Sequence, residues 1–332
     1  MPQNQQIENK ETQWIVDEIP VYGTLTYPKS EKTCGAVVFV AGSGPTDRDW
    51  CSPLLPGTNG SGKLLAEALA HQGFLTLRYD KRASGPHAKE AAMKLKGKIS
   101  MQSHVDELAG AVKTIVAERQ GDDSDLFVLS SSEGAIHALN YQLEAKQHRF
   151  RGFVLTGAPG RAVGQVARSQ IFSQVAALPD AESTMKYYDA AIAAFVEGKP
   201  VVPDASLPEG MKQLLLSLAT PFNLPFAREL WIYNPAKAIA KLDAPLLVVI
   251  GKKDIQTDWQ ADGKPLEAAA AKNGLAEFVY PENANHILKH EETPREKLDA
   301  QAALHYNASD RVLDQEAAGA IFEWLNKQTS EA

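Results

Sequence analysis

Three residues of this chain have the types, order and surroundings that nucleophilic acyl chemistry needs. Ser132 stands in the string Ser130-Ser131-Ser132-Glu133-Gly134, directly after the apolar run Leu126–Leu129 and before a helix-like segment from Ala135 to Leu143. A serine on a sharp strand–turn–helix corner needs small residues two places before and two places after it, because larger neighbours collide at the bend. Ser130 and Gly134 meet that need for Ser132, whereas Ser131 is flanked by Leu129 and Glu133, and Ser130 has Val128 before it. A hydroxyl is a weak nucleophile until a base removes its proton. The base is expected in a loop after a late strand, and His286, in Asn283-Ala284-Asn285-His286 after Tyr280, fits. His290 lies in a charged run and reads as solvated; His137, on the helix after Ser132, reads as structural. An acid must hold the imidazole tautomer and stabilise the imidazolium. Asp254 lies just past the run Leu246–Ile250, with Asp258 close enough to be the alternative. Ser, then Asp, then His is one of the chain orders in which this constellation occurs.

The same chemistry needs donors for the negative charge that develops on the substrate oxygen. One is expected to be the backbone N–H of Glu133, next after the nucleophile. The other is expected from Gly42-Ser43-Gly44-Pro45, with the N–H of Ser43 favoured because small residues let the backbone approach the substrate. Each such donor contributes about 3–4 kcal/mol in enzymes of this kind. Asp47, Arg48 and Asp49 read as structural. A guanidinium pairs bidentately with carboxylates, so Arg48 and Arg82 are expected to tie the oxyanion loop to the loop at Asp80.

Other motifs point elsewhere less well. Gly57-Thr58-Asn59-Gly60-Ser61-Gly62-Lys63 nearly forms a phosphate-binding loop, but Leu64 stands where Ser or Thr would hold magnesium, and Pro53 and Pro56 interrupt the strand that should precede it. Gly157 and Gly160 after a strand give a weak dinucleotide signal and read as a loop leading onward. No His, Cys or carboxylate spacing suggests a metal, so no cofactor is expected.

These residues need a scaffold, and the apolar pattern describes one. Tyr22–Tyr27 alternates like a strand, and Ala36–Ala41, Phe74–Tyr79, Leu126–Leu129, Phe153–Leu155, Pro245–Ile250 and Glu277–Tyr280 are short apolar runs suited to a sheet buried on both faces. Helical spacing lies between them, at Lys63–Gln72, at Val105–Val116 and in a final helix carrying Leu313, Ala317, Ala320, Ile321, Trp324 and Leu325. Strands alternating with helices imply an α/β fold with a mostly parallel, doubly wound sheet. Residues 161–240 break the rhythm with apolar helical segments and no clear strand, and read as a helical cap inserted into the sheet between the strands at Phe153–Leu155 and Pro245–Ile250. The expected division is a core of residues 13–160 and 241–329, a cap of residues 161–240, and a loose N-terminal tail of residues 1–12.

At 332 residues and 44% hydrophobic content the chain can bury a sizeable core. Its net charge of -7 argues against a nucleic-acid partner, which would demand a basic face. Two cysteines, Cys34 and Cys51, form no disulfide framework, and no apolar run is long enough to span a bilayer. With a polar N-terminus lacking an apolar signal segment, the expectation is a cytoplasmic protein. A homo-oligomer is compatible with the sequence.

Several strings also carry a family resemblance. Val40-Ala-Gly-Ser-Gly-Pro-Thr-Asp-Arg-Asp49 resembles the GSGPxDRD loop of bacterial α/β-hydrolase esterases of the EstD type, within the wider prolyl-oligopeptidase-like and dienelactone-hydrolase-like group. Leu77-Arg-Tyr-Asp-Lys-Arg82 is similar to that family's LRYDKRG, and Ser132-Glu133-Gly134 to the end of its GHSEGG elbow. Gly251-Lys-Lys-Asp-Ile-Gln256 resembles GxxDxQ, and Asn285-His286-Ile287-Leu288 resembles NHxL. Two departures stand out: Ser130-Ser131 replaces Gly-His before the nucleophile, and Ala83-Ser84-Gly85-Pro86-His87 replaces Gly-x-Gly-x-Ser after Arg82. The resemblance implies an α/β-hydrolase fold and a carboxylesterase acting on a small-molecule acyl ester. A thioesterase or peptidase with the same three residues is the nearest alternative, and a catalytically silent binding protein on the same scaffold is the alternative of another class.

Overall fold

A computed structural model of the chain describes residues 6–29 and 32–330. Eight strands form one sheet: β1 (Ile7–Val16), β2 (Ile19–Pro28), β3 (Gly35–Val40), β4 (Phe74–Tyr79), β5 (Leu126–Ser131), β6 (Gly152–Thr156), β7 (Leu246–Val249) and β8 (Ala276–Val279). Their order across the sheet is β1-β2-β4-β3-β5-β6-β7-β8. β1 and β2 run antiparallel to their neighbours, and β4 through β8 are paired in parallel.

The continuous apolar runs become the central strands because helices cover both faces. In β3, Ala36, Val38 and Val40 join the core layer beneath α3 (Met101–Glu118) and α4 (Gly134–Glu144), while Val37 and Phe39 join the layer beneath α1 (Ser61–His71) and α11 (Gln315–Ser330). Successive strand residues point to opposite faces, so a strand with two covered faces must be apolar at every position. The short helix α2 (Ala88–Leu95) follows β4.

Five helices lie between β6 and β7: α5 (Val163–Val175), α6 (Ala181–Val196), α7 (Glu209–Leu218), α8 (Phe226–Ile232) and α9 (Pro235–Ile239). α10 (Gly263–Ala270) separates β7 from β8. Val175, Met185, Tyr188, Ala191, Leu207, Met211 and Leu215 form a small core of their own among the inserted helices. No helix among the described residues is long and apolar enough to cross a membrane.

One boundary differs from expectation. Residues 7–12, assigned to a loose tail, form the first part of β1, and residues 1–5 lie outside the described residues. β1 pairs along its whole length with β2, from Ile7 opposite Pro28 to Val16 opposite Ile19. It is an edge strand exposed at Asn9, Lys10 and Glu11, so polar residues are tolerated there and the apolar signal is absent. The two-residue turn at Asp17-Glu18 has positive φ at both positions (50° and 64°), a geometry that Asn-Gly or Asp-Gly would have signalled. Trp14 secures the hairpin: its ring packs edge-on against Tyr79, and its indole N–H donates to Glu107 O at 3.2 Å.

Candidate active site

Ser132 sits at the corner between β5 and α4 with φ 51°. This left-handed backbone costs a non-glycine residue roughly 1–2 kcal/mol, and such strain collects at functional sites. The surroundings impose it. The Ser132 N–H donates to Thr156 O at 2.8 Å on the neighbouring strand, and α4 starts at once. A Cβ on Gly134 would lie 2.4 Å from Val40 O and 2.8 Å from Ala41 O, so only glycine lets α4 press this close to β3. Ser130 is fully buried, and its hydroxyl reaches Val154 O at 3.4 Å. The corner therefore forms with serine there.

His286 and Asp254 meet directly: Nδ1 lies 2.8 Å from Asp254 Oδ2, with both side chains buried. Asp254 Oδ1 accepts the backbone N–H groups of Gln256 at 2.7 Å and Thr257 at 2.9 Å. The carboxylate is thus oriented from one side by the backbone and presented to the imidazole from the other. Asp258, the alternative acid, accepts instead from Gln260 N–H at 2.9 Å and Ala261 N–H at 2.7 Å in its own turn. The His286 loop is held by Asn285, whose side-chain oxygen accepts the N–H groups of Ile287 and Lys289, and by the Ser61 hydroxyl, which donates to Ile287 O.

Ser132 and His286 flank the segment that follows β6. Thr156 takes the Ser132 N–H, and a Cβ on the next residue, Gly157 (φ 54°), would lie 3.0 Å from His286 Cε1 and 3.1 Å from Nδ1. Among the described residues no hydrogen bond joins the Ser132 hydroxyl to His286. Such contacts are often long without substrate and tighten once it binds.

The loop after β3 runs alongside. A Cβ on Gly42 would lie 3.4 Å from Ser132 Cβ, which brings this loop beside the Ser132 side chain. Among the described residues neither the Ser43 N–H nor the Glu133 N–H donates to a protein acceptor. Arg48 ties this loop to Asp80, as expected: its backbone N–H donates to Oδ1 at 2.9 Å, and Nε and Nη2 donate to Oδ2 at 3.1 and 2.7 Å. Arg82 does not take part in that tie. It pairs with Glu107 at 2.7 Å and Asp17 at 3.0 Å.

Two features escaped the sequence reading. Asp262, fully buried, accepts from the backbone N–H groups of Gly160 and Arg161 and from the Arg161 guanidinium, which anchors the loop after β6 beside the Asp254 loop. Its only local signal is its place eight residues beyond Asp254. The second is a buried charged cluster behind Ser43 and Glu133. Lys81 Nζ bonds Gly42 O and the Glu133 carboxylate, and Glu133 also meets His137 Nε2 at 3.1 Å. His137 packs against the ring of His104, which in turn lies 3.2 Å from Glu107 Oε2. Burial opposes ionisation of Glu133, yet Lys81 and His137 hold its carboxyl well below the usual carboxylate range.

Comparison with known proteins agrees with this architecture. Residues 59–184 match a family model described as serine aminopeptidase, S33. The chain is 24% identical over 307 residues to Esterase EstD of Thermotoga maritima, covering 92% of this chain and 65% of that one. Among solved structures, a Pyrococcus furiosus esterase superposes with a TM-score of 0.58 at 16% identity, covering 99% of this chain and 94% of its own. An acylaminoacyl peptidase of Pyrococcus horikoshii superposes with a TM-score of 0.53 at 14% identity, covering 86% of this chain and 38% of its own. The chain thus has the α/β-hydrolase fold, and it spans about two thirds of the length of EstD.

Proposed function

We propose that this chain is a serine hydrolase that cleaves carboxylic esters through an acyl-enzyme, with Ser132 as nucleophile, His286 as general base and acid, and Asp254 as the group that orients His286. The observation that carries the reading is the buried His286–Asp254 pair at 2.8 Å, set beside a serine held at φ 51° on a strand–turn–helix corner. A hydrogen bond from Nδ1–H to Asp254 leaves Nε2 unprotonated and able to take the Ser132 proton.

In the first half-reaction the Ser132 oxygen attacks the ester carbonyl carbon as its proton passes to His286. The carbonyl oxygen takes up negative charge and is received by the N–H groups of Ser43 and Glu133. Collapse of this intermediate breaks the bond to the alkoxide, which takes the proton from His286 and leaves as the alcohol. Water then enters, loses a proton to His286 and attacks the acyl-enzyme, releasing the acid and restoring Ser132. No step calls for a cofactor. The helices of residues 161–240 act as a cap over this edge, limiting water and shaping the pocket for the substrate's acyl or alcohol part.

A peptide bond is the second reading, favoured by the serine aminopeptidase model that residues 59–184 match. Turnover of short p-nitrophenyl esters, the matching thioesters and aminoacyl p-nitroanilides separates the two. Ester turnover that disappears in Ser132→Ala is the expected outcome. Equal ester turnover by wild type and Ser132→Ala would sink the assignment, as would fluorophosphonate labelling at another serine.

A further inference from the structure

Lys81 is a buried ammonium, 4% exposed, on the loop after β4, with its donors aimed at the corner that carries Ser132. Its Nζ donates to Gly42 O at 2.5 Å and to Glu133 Oε1 at 2.8 Å. Those two partners are the residues whose peptides frame the nucleophile. Gly42 O belongs to the same peptide unit as the Ser43 N–H, and Glu133 carries the other N–H. Placing a lysine here is costly, because an ammonium taken out of water must be repaid by close, well-aligned partners. A hydrophobic residue would fill the same space without that cost.

We propose that Lys81 is a positioning residue of the oxyanion hole, clamping the Gly42-Ser43 peptide to Glu133 and polarising it toward the substrate oxygen. The proposal rests on the serine-hydrolase reading and deepens it. Two physical effects are involved. A cation on the carbonyl end of a peptide draws electron density toward that end and makes the N–H end a better donor, a cooperative strengthening of roughly 10–30% per bond. The clamp also adds a tie between two loops whose strands last pair at Val40 and Ser130, so the two N–H groups converge before the charge appears. Glu133 supplies the counter-charge, and the same oxygen, Oε1, also meets His137 Nε2 at 3.1 Å, which helps hold the carboxylate in place. The side chain does not touch substrate in this arrangement. It acts only through the two peptides.

The effect should therefore be confined to the transition state. Loss of a whole oxyanion donor typically costs on the order of 10²–10³ in kcat, and weakening two donors without removing either should cost less. For Lys81→Met, which keeps the chain length and removes the charge, kcat on p-nitrophenyl acetate should fall on the order of 10- to 100-fold with KM within about threefold. The inhibition constant of a trifluoromethyl ketone, which forms a tetrahedral adduct, should weaken by the same factor as kcat/KM. That of the product carboxylate should not move. Lys81→Met leaves Glu133 as an unpaired buried charge, so Lys81→Met/Glu133→Gln is measured beside it as a variant with no orphaned charge. The same kcat loss is expected there, with thermal unfolding close to wild type.

Wild-type kcat in a folded double variant overturns the proposal and marks the pair as mere charge compensation. Equal weakening of ketone and carboxylate binding overturns it too, since that is the pattern of general distortion. If Ser132→Ala hydrolyses the ester as fast as wild type, the hydrolase reading itself fails and takes this proposal with it. An active wild type with an unaffected double variant removes the Lys81 role alone.

Discussion

Asp254→Asn tests the orientation argument, because the backbone dictates how the new side chain must sit. Oδ1 of Asp254 accepts two backbone N–H groups, from Gln256 at 2.7 Å and Thr257 at 2.9 Å. Only an oxygen can serve there, so the asparagine carbonyl must take the Oδ1 position. Its NH2 group then falls where Oδ2 stood, 2.8 Å from His286 Nδ1. A donor at that place requires Nδ1 to be an acceptor, which moves the imidazole proton to Nε2. An Nε2–H cannot take the Ser132 proton. Volume and packing hardly change, so the loss is of chemistry and not of fold. The wrong tautomer costs about 10⁴ in kcat in a comparable serine–histidine–aspartate site, which is roughly 5 kcal/mol at 1.36 kcal/mol per decade. Steady-state hydrolysis of p-nitrophenyl acetate, with thermal unfolding as the control for folding, should show kcat down by about this factor, with KM and the unfolding midpoint little altered. Retention of more than a tenth of the wild-type kcat by a folded Asp254→Asn would refute the reasoning. So would an equal loss in Asp258→Asn, whose carboxylate faces Gln260 and Ala261 instead.

Three further outcomes are expected. Gly157→Ala puts a Cβ 3.0 Å from His286 Cε1 at φ 54°; kcat should fall by about tenfold with KM unchanged, and stability by about 1–2 kcal/mol, read by urea unfolding. Gly134→Ala would set a methyl 2.4 Å from Val40 O, forcing α4 off β3, and should cost roughly 3 kcal/mol or more by the same measurement. Burial and the positive charge of Lys81 push His104 down to about 3, and burial and His104 push His137 down to about 4. Unfolded, both titrate near the ordinary value of about 6.5, so between that pH and about 4 the unfolded state binds more protons. Stability is therefore lost as pH falls through this window, each histidine contributing a slope of about 1.4 kcal/mol per pH unit and Glu107, pushed up to about 7 by burial, offsetting about one of the two. Urea midpoints measured from pH 7 to 4.5 should drop, and His104→Phe should make the drop shallower; a flat wild-type profile would contradict the assignment of neutral buried imidazoles.

The residues of the candidate site were readable where the signal is local. Ser132 declares itself by Ser130 and Gly134 two places to either side, and α4 and β5 by apolar spacing over short windows. Asp254 and His286 follow from their places just past apolar runs, which end at one edge of a parallel sheet whatever the details of its packing. β1 escaped because half of it faces water and its turn at Asp17-Glu18 lacks glycine. The match of Arg48 to Asp80 could be anticipated from charge type alone, whereas the true partners of Arg82 could not: Asp17 and Glu107 are brought to it by a hairpin and a helix far away in sequence.

What the sequence determined by itself was the alternation of strand and helix, the helical insertion after β6, and the order Ser132, Asp254, His286. These depend on periodicity and on neighbours a few residues apart, which a linear reading contains. Only the tertiary structure decided which carboxylate meets His286: Asp254 and Asp258 each accept two N–H groups of the turn that follows, but Asp254 is buried against the imidazole and Asp258 is exposed. It alone placed Lys81 between Gly42 and Glu133. A lysine in a sequence reads as a solvated charge; burial and two partners just beyond β3 and β5 bring it beside the candidate site, and those depend on how β3, β4 and β5 lie side by side.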